Sequence, residues 1–264
     1  MNVLGIDIGG SAIKGAPVDP VSGRLLAERF RIETPNPLTP LQMSRAIAEL
    51  VRKFSWKGPV GIGFPGVVHG SRTMTSTNLH PSFIGLDTAK LFAKATGCRV
   101  SLVNDADAAG VAEMKFGVGA DAAGTVLLLT LGTGVGSALF FRGVLYPNSE
   151  LGHLPIRGRS AERFVSSAAR KRRGLSWAAW GRELGAYVRT LEALLWPELI
   201  IIGGGVSAKS QKYFKQVKTR APLKSAAFHN EAGIVGAALW AAGQEELSAA
   251  GLSVNQRARD RAAG

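Results

Sequence analysis

Thr125-Val126-Leu127-Leu128-Leu129-Thr130-Leu131-Gly132-Thr133-Gly134-Val135-Gly136-Ser137-Ala138-Leu139-Phe140-Phe141 is the stretch whose reading decides the organisation of this chain. An apolar run of strand length meets a glycine-rich turn and continues as a second apolar run, which is the pattern of a β-hairpin. The same pattern opens the chain: Val3-Leu4-Gly5-Ile6-Asp7-Ile8, then Gly9-Gly10-Ser11, then a run from Ala12 to Val18. This internal echo predicts two related α/β halves. Gly132-x-Gly134-x-Gly136 could be taken for a dinucleotide fingerprint, but that reading needs a helix after the glycines, and residues 137–141 are β-like. The first turn is not a P-loop either, because the Gly-Lys-Ser/Thr order is missing and a strand follows.

Glycines at such turns let backbone N–H groups come close to a phosphate. The candidate phosphate or nucleotide contacts are Gly9, Gly10, Ser11 and Lys14 in the first hairpin, and Gly132, Thr133, Gly134 and Gly136 in the second. Asp7, at the end of its strand, can hold a Mg²⁺ through water. The plain alternative is a hairpin whose aspartate caps the turn. A third glycine cluster, Gly203-Gly204-Gly205, follows the buried strand Pro197-Glu198-Leu199-Ile200-Ile201-Ile202. It allows close approach by a nucleotide or distal phosphates, or it is simply a tight strand-to-helix turn.

Between the two hairpins, Leu102-Val103-Asn104-Asp105-Ala106-Asp107 is an apolar run ending on an acidic turn. A strand that delivers a carboxylate to a sheet edge is a common way to hold a general base, although Asn-Asp pairs also make ordinary turns. Beyond the second hairpin stands Glu150-Leu151-Gly152-His153. A carboxylate and an imidazole three residues apart can share hydrogen bonds to vicinal hydroxyls of one sugar ring. A structural histidine or half a metal site are the other readings, and the scattered positions of His69, His80 and His229 speak against a histidine cluster. Further candidates for a hydroxylated ligand are Gly66, at the glycine-proline corner that interrupts residues 60–68, and Asn78, in the polar loop 75–81.

Helical spacing marks Leu41, Ile47, Leu50, Val51 and Phe54, then Leu86, Ala89, Phe92 and Ala95, and later Trp177, Trp180, Leu184, Val188, Leu191 and Leu195. The tryptophans read as core packing. A helix is expected from Asp105 to Gly117 and another over residues 233–242, while the tail from Asn255 looks frayed. The small-residue linker 118–124 suggests a smaller α/β domain over residues 1–118 and a larger one over 119–264, with the C-terminal helix free to pack back on the first.

The 32 Lys and Arg against 19 Asp and Glu give a formal charge of +13. Such an excess favours a polyanionic partner, or is plain basic surface. It concentrates at Arg157, Arg159, Arg163, Arg170, Lys171, Arg172 and Arg173, and again at Lys209, Lys212, Lys215, Lys218, Arg220 and Lys224. A cluster of this kind usually marks a solvated helix face; it is also what a phosphate polymer needs. Glu162 lies in the first cluster as a further ligand or a charge partner. No nucleic-acid motif appears, aromatics make up only 7%, and no apolar run approaches the roughly 20 residues that span a bilayer. Nucleic-acid and membrane partners are therefore not expected. Cys98 is the single cysteine, which excludes a disulfide framework and a thiolate zinc site. No signal-like segment precedes Asn2-Val3-Leu4, so a cytoplasmic location is expected.

Taken together, the ordered set Ile6-Asp7-Ile8-Gly9-Gly10-Ser11, Asn104-Asp105-Ala106, Leu131-Gly132-Thr133-Gly134-Val135-Gly136, Glu150-Leu151-Gly152-His153 and Gly203-Gly204-Gly205-Val206 resembles the ROK family of sugar kinases, in the actin/hexokinase-like superfamily. The resemblance implies an α/β, two-domain actin/hexokinase-like (ribonuclease H-like) fold with a cleft between the domains, and Mg²⁺-dependent phosphorylation of a sugar. It makes Asp105 the catalytic base, Asn104, Glu150 and His153 sugar ligands, and Glu162 a further sugar-binding glutamate. Most members carry a cysteine-rich zinc motif after Glu-x-Gly-His; here Gly158-Arg159-Ser160-Ala161-Glu162-Arg163-Phe164-Val165-Ser166-Ser167-Ala168-Ala169-Arg170 stands instead. That segment, with Leu175-Ser176-Trp177 and Pro197-Glu198-Leu199, is similar to the polyphosphate-using glucokinase branch. No zinc is expected, and packing around Phe164 has to order the Glu150–His153 turn. Glucose or mannose is the implied acceptor, polyphosphate or ATP the implied donor, and a homodimer is compatible with this organisation. A strictly ATP-dependent hexokinase and a sugar-responsive repressor are the rivals; the repressors carry a DNA-binding module ahead of the first hairpin.

Overall fold

The structure is a computed structural model that describes residues 1–34, 38–76 and 79–250. Asn78 and the tail from Asn255 lie outside the described residues. The chain begins β1 (Val3–Ile8), β2 (Ala12–Val18), β3 (Phe30–Glu33), α1 (Pro40–Lys53), β4 (Val60–Phe64), the short pair β5 (Val68–His69) and β6 (Arg72–Thr73), α2 (Thr88–Thr96), β7 (Val100–Asn104) and α3 (Asp105–Phe116). It continues β8 (Thr125–Leu131), β9 (Val135–Phe141), β10 (Val144–Tyr146), the pair β11 (Pro155–Ile156) and β12 (Arg159–Ser160), α4 (Glu162–Val165), α5 (Ser167–Arg172), α6 (Trp177–Leu195), β13 (Leu199–Gly203), β14 (Leu223–Ser225) and α7 (Ala232–Ala249).

These elements form two compact units, Met1–Val111 with the chain from Gly233 on, and Ala112–Ala232. The sequence reading drew the division between residues 118 and 119; it falls instead inside α3, and α7 groups with the first unit. The small-residue stretch after α3 is no free linker. The buried Glu113 carboxylate accepts backbone hydrogen bonds from Val118 at 3.2 Å and from Phe228 at 2.8 Å, which ties α3 to two loops of the second unit.

The first unit is built on a five-stranded sheet in the order β3-β2-β1-β4-β7. Strands β1, β4 and β7 are parallel, and β2 and β3 run antiparallel. Alternation along β1 sends Leu4, Ile6 and Ile8 to one face, where they pack with Ile47 and Leu50 of α1 and Phe92 of α2. Helix α1 starts where it does because Thr39 and Gln42 make a capping box and Pro40 presets the first turn.

On the other face Val3, Ala16 and Val18 meet Ile234, Ala238 and Ala241 of α7. The helix lies so close that a methyl at Gly5 or Gly61 would overlap the backbone of Ile234 or Ala237. Glycine at those two strand positions is therefore a packing requirement.

The second unit repeats the plan, with a sheet in the order β10-β9-β8-β13-β14. Its parallel strands are β8, β13 and β14, and β8–β9 form the antiparallel hairpin. Leu127, Leu129, Ile200 and Ile202 pack against Trp180, Leu184, Val188 and Leu191 of α6. Trp180 is fully buried, and its indole N–H reaches the Val165 carbonyl at 3.1 Å, so the tryptophan serves the core. No helix among the described residues is long and apolar enough to cross a membrane.

Candidate active site

In open α/β sheets ligands bind beyond the carboxyl ends of the parallel strands. In the first unit the register brings three such ends together: Asp7 of β1 lies opposite Gly63 of β4, and Gly63 opposite Val103 of β7, two residues before Asp105. Asp7 and Asp105 thus emerge at one sheet edge, about two strand spacings or ~10 Å apart.

Asn104 fixes the start of α3. Its side-chain oxygen accepts from Ala106 N at 2.9 Å and Asp107 N at 3.0 Å, as an N-cap does, and its amide donates to the Gly66 carbonyl at 3.1 Å. One Asp105 carboxylate oxygen accepts from Ala106 N at 2.8 Å. The predicted base is therefore presented by the first turn of a helix whose cap is also tied to the glycine-proline corner. That corner is braced by Thr75, whose hydroxyl accepts from Val67 N at 2.9 Å.

The first hairpin closes through Gly9 N–H donating to the Ala12 carbonyl at 3.0 Å. Thr34, beside β3, clamps it from outside: its hydroxyl donates to the Gly9 carbonyl at 2.8 Å and its N–H to the Ser11 carbonyl at 3.3 Å. Asp7 and Lys14 are direct cross-strand partners. Burial pushes the Asp7 carboxyl above the ordinary range, and the Lys14 charge pulls it back. Beside it stands Gly233 at the start of α7, where a methyl would come within 2.9 Å of Asp7 Oδ1.

A single half-buried carboxylate suits a Mg²⁺ carried on phosphates and water rather than an all-protein cage. The described residues hold no group of three or more His, Cys, Asp or Glu that could cage an ion.

In the second unit, β8 ends at the hairpin Gly132–Gly134, and the parallel register of β8 with β13 sets Gly203 opposite Thr130. Gly204 adopts φ +77°, and a methyl there would stand 2.8 Å from Leu131 N. The two glycine clusters predicted to meet phosphates are thus neighbours at one sheet edge. Gly136, by contrast, lies within β9, paired with Thr130.

Glu150 and His153 flank a short 3₁₀ turn, with Glu150 Oε2 and His153 Nε2 3.4 Å apart. Burial raises the Glu150 pKa above its ordinary value; His153 offsets this and the charge of Glu162 adds to it. Glu162, at the start of α4, turns its carboxylate to the second hairpin and accepts from Val135 N at 3.4 Å. It therefore lies near Glu150 and the hairpin at once.

Packing of Phe164 and neighbouring residues is the expected means of ordering this turn; the structure adds hydroxyls. Ser160 Oγ donates to the buried Gly152 carbonyl at 3.0 Å and lies 3.3 Å from His153 Nδ1. Ser137 and Ser149, both buried in the second unit, bond across from β9 to the turn, and Leu151 N donates to Ser137 Oγ at 3.0 Å. Phe164 packs in the core with the Arg157 guanidinium 5.7 Å from its ring. The sequence reading missed Thr34, Thr75, Ser137, Ser149 and Ser160; a serine at a core-facing strand position was the one available signal, at Ser137.

Two five-stranded sheets of mixed direction, each with an antiparallel glycine hairpin and a parallel strand-end edge, make this an actin/hexokinase-like α/β protein. Within that class the chain belongs to the ROK family, whose sequence pattern matches residues 3–174. It is 42% identical to the polyphosphate glucokinase of Mycobacterium tuberculosis (strain CDC 1551 / Oshkosh) over 237 residues, 89% of each chain. The crystal structure of the inorganic polyphosphate/ATP-glucomannokinase from Arthrobacter sp. strain KM superposes with a TM-score of 0.89 at 45% identity, covering 92% of this chain and 99% of that one. A ROK family glucokinase from Streptomyces griseus, 23% identical, shares the fold with a TM-score of 0.78 over 92% of this chain and all of the other.

Proposed function

We propose that this protein transfers the terminal phosphoryl group of inorganic polyphosphate or ATP to the 6-hydroxyl of glucose, and of mannose. The observation that carries the reading is the likeness to polyphosphate glucokinase across 89% of both chains in a protein that presents Asp105 at a strand end. Asp105 accepts the hydroxyl proton as the sugar oxygen attacks phosphorus. Glu150 accepts hydrogen bonds from sugar hydroxyls and His153 shares them, while Asn104 and Gly66 shape the backbone around the base. Glu162 holds the second hairpin and reaches the sugar from that side.

Phosphoryl transfer depends mainly on alignment and on neutralising charge. The turns Gly9–Gly10–Ser11 and Gly132–Thr133–Gly134 serve the phosphates: the N–H groups of Gly9 and Gly132 close the turns on the Ala12 and Gly134 carbonyls, those of Gly10, Ser11, Thr133 and Gly134 face the phosphates, and Lys14 adds a fixed positive charge. Gly203, Gly204 and Gly205 leave room for the donor. Asp7 would hold a Mg²⁺ through water, and the ion would supply further charge neutralisation on the phosphates.

The test is formation of sugar 6-phosphate from glucose and from mannose with Mg²⁺, comparing ATP with long-chain polyphosphate. Turnover with both donors is expected. Turnover with ATP alone removes polyphosphate from the reading, and none with either donor overturns the kinase assignment.

A further inference from the structure

A cavity of about 630 Å³ lies wholly within the second unit, lined by Thr133, Arg159, Glu162, Arg163, Phe164, Ser166, Arg172 and Arg173. Four guanidiniums line it with one carboxylate, and one oxygen of that carboxylate accepts from the Val135 N–H at 3.4 Å. The arginines differ in their engagements. Arg173 is locked from behind by a bidentate pair with Glu183, at 2.6 and 2.9 Å. Arg172 reaches the Arg163 carbonyl at 3.2 Å, which spends one donor and leaves its charge uncompensated. Among the described residues Arg159, Arg163 and Arg172 make no ion pair with a carboxylate.

Three exposed guanidiniums around one cavity, with the Glu162 carboxylate the one counter-charge among its lining residues, repel one another, and an anion inside relieves that repulsion. Guanidinium is the side chain suited to bidentate contact with phosphate oxygens. Thr133 at the wall belongs to the second glycine hairpin. An anion in this cavity therefore continues directly from the hairpin expected to hold the reacting phosphates.

We infer that this arginine cavity holds the inner phosphates of an inorganic polyphosphate chain, behind the unit being transferred. A nucleotide presents two phosphates behind its terminal one and then a neutral ribose and base, so it gains little from a row of guanidiniums. A long polyphosphate gains at every step. Arg159, Arg163 and Arg172 are thus specificity residues for the donor, and Arg173, fixed by Glu183, shapes the wall. The inference rests on the kinase reading for its choice of donor.

The experiment replaces Arg163 and Arg172 with glutamine together, and Arg159→Gln singly. For each, kcat/KM on glucose is measured with long-chain polyphosphate and with ATP, alongside a thermal melt. The ratio of polyphosphate to ATP efficiency is expected to fall about thirtyfold in the double variant, from the loss of two charge-assisted contacts. The slope of log binding against log salt for polyphosphate is expected to flatten by about one to two. A ratio within threefold of wild type, or equal losses with both donors, overturns the inference. Direct binding of long-chain polyphosphate to the wild type separates the two readings. Binding without turnover from either donor keeps the cavity and sinks the kinase assignment; absence of binding sinks the cavity.

Discussion

Ser160→Ala tests how the Glu150–His153 turn, proposed above to bind the sugar, is held in place. The hydroxyl donates to the buried Gly152 carbonyl at 3.0 Å and meets His153 Nδ1 at 3.3 Å. A neutral hydrogen bond of this kind contributes about 1 kcal/mol net, and a buried carbonyl left without a donor costs about 1–3 kcal/mol. The loss falls on Gly152, whose own close packing against Val135 leaves the turn little room to relax, and on His153, which then samples other rotamers. About 1.4 kcal/mol of lost sugar binding corresponds to a tenfold rise in KM for glucose. Turnover at saturating sugar is expected to stay within about threefold, because Asp105, the proposed general base, belongs to a different element. The assay is steady-state kinetics with ATP as the fixed donor, for Ser160→Ala and for Ser160→Thr, which keeps the hydroxyl and restores KM. An unchanged KM in the alanine variant, or a kcat that falls as far as kcat/KM, refutes the positioning role.

Asp105→Asn is expected to abolish turnover while glucose still binds, measured by calorimetry; turnover within tenfold of wild type removes Asp105 as the base. Gly61→Ala presses a methyl into the α7 backbone at Ala237. Overpacking of this kind costs about 1–3 kcal/mol, read as a lower midpoint in urea, and an unchanged midpoint means the helix does not rest on that strand. Because folding raises the Glu150 pKa, glucose binding is expected to weaken on acidification starting above the usual glutamate range. Glu162→Gln removes a charge that pushes it up and should move that limb to lower pH; a shift upward contradicts the placement. The opposite sign applies to stability, because there the raised pKa favours the protonated form in the folded protein. The Glu150 contribution is fully present below the ordinary glutamate pKa and lost as pH rises through the raised one. Glu150→Gln should therefore melt higher than wild type at neutral pH, with the gap closing in acid, and an equal gap at every pH argues against burial of that carboxylate.

The hairpins, the strand that carries Asp105 and the helices were legible because each rests on local regularity. Periods of 2 and 3.6 and glycine at tight turns are written in neighbouring residues. Thus β8 and β9 appear as read, and α6 covers the spaced tryptophans and leucines. The ordered motifs also carried the family, since their sequence and spacing are properties of the chain alone. What the sequence could not show is which distant residues hold those motifs in place. Thr34 clamping the first hairpin, Ser160 clamping the Glu150–His153 turn and Glu113 tying α3 to Phe228 each join positions whose partners are chosen only when the chain has folded. The division inside α3 was hidden for the same reason. A helix reads as one element in sequence, whereas membership of a unit depends on what each turn packs against. Local sequence determined the elements and the chemistry at their ends. Tertiary packing, through close backbone approach at Gly5 and Gly61 and through isolated hydroxyls and carboxylates spent on distant backbone groups, decided how those ends are presented.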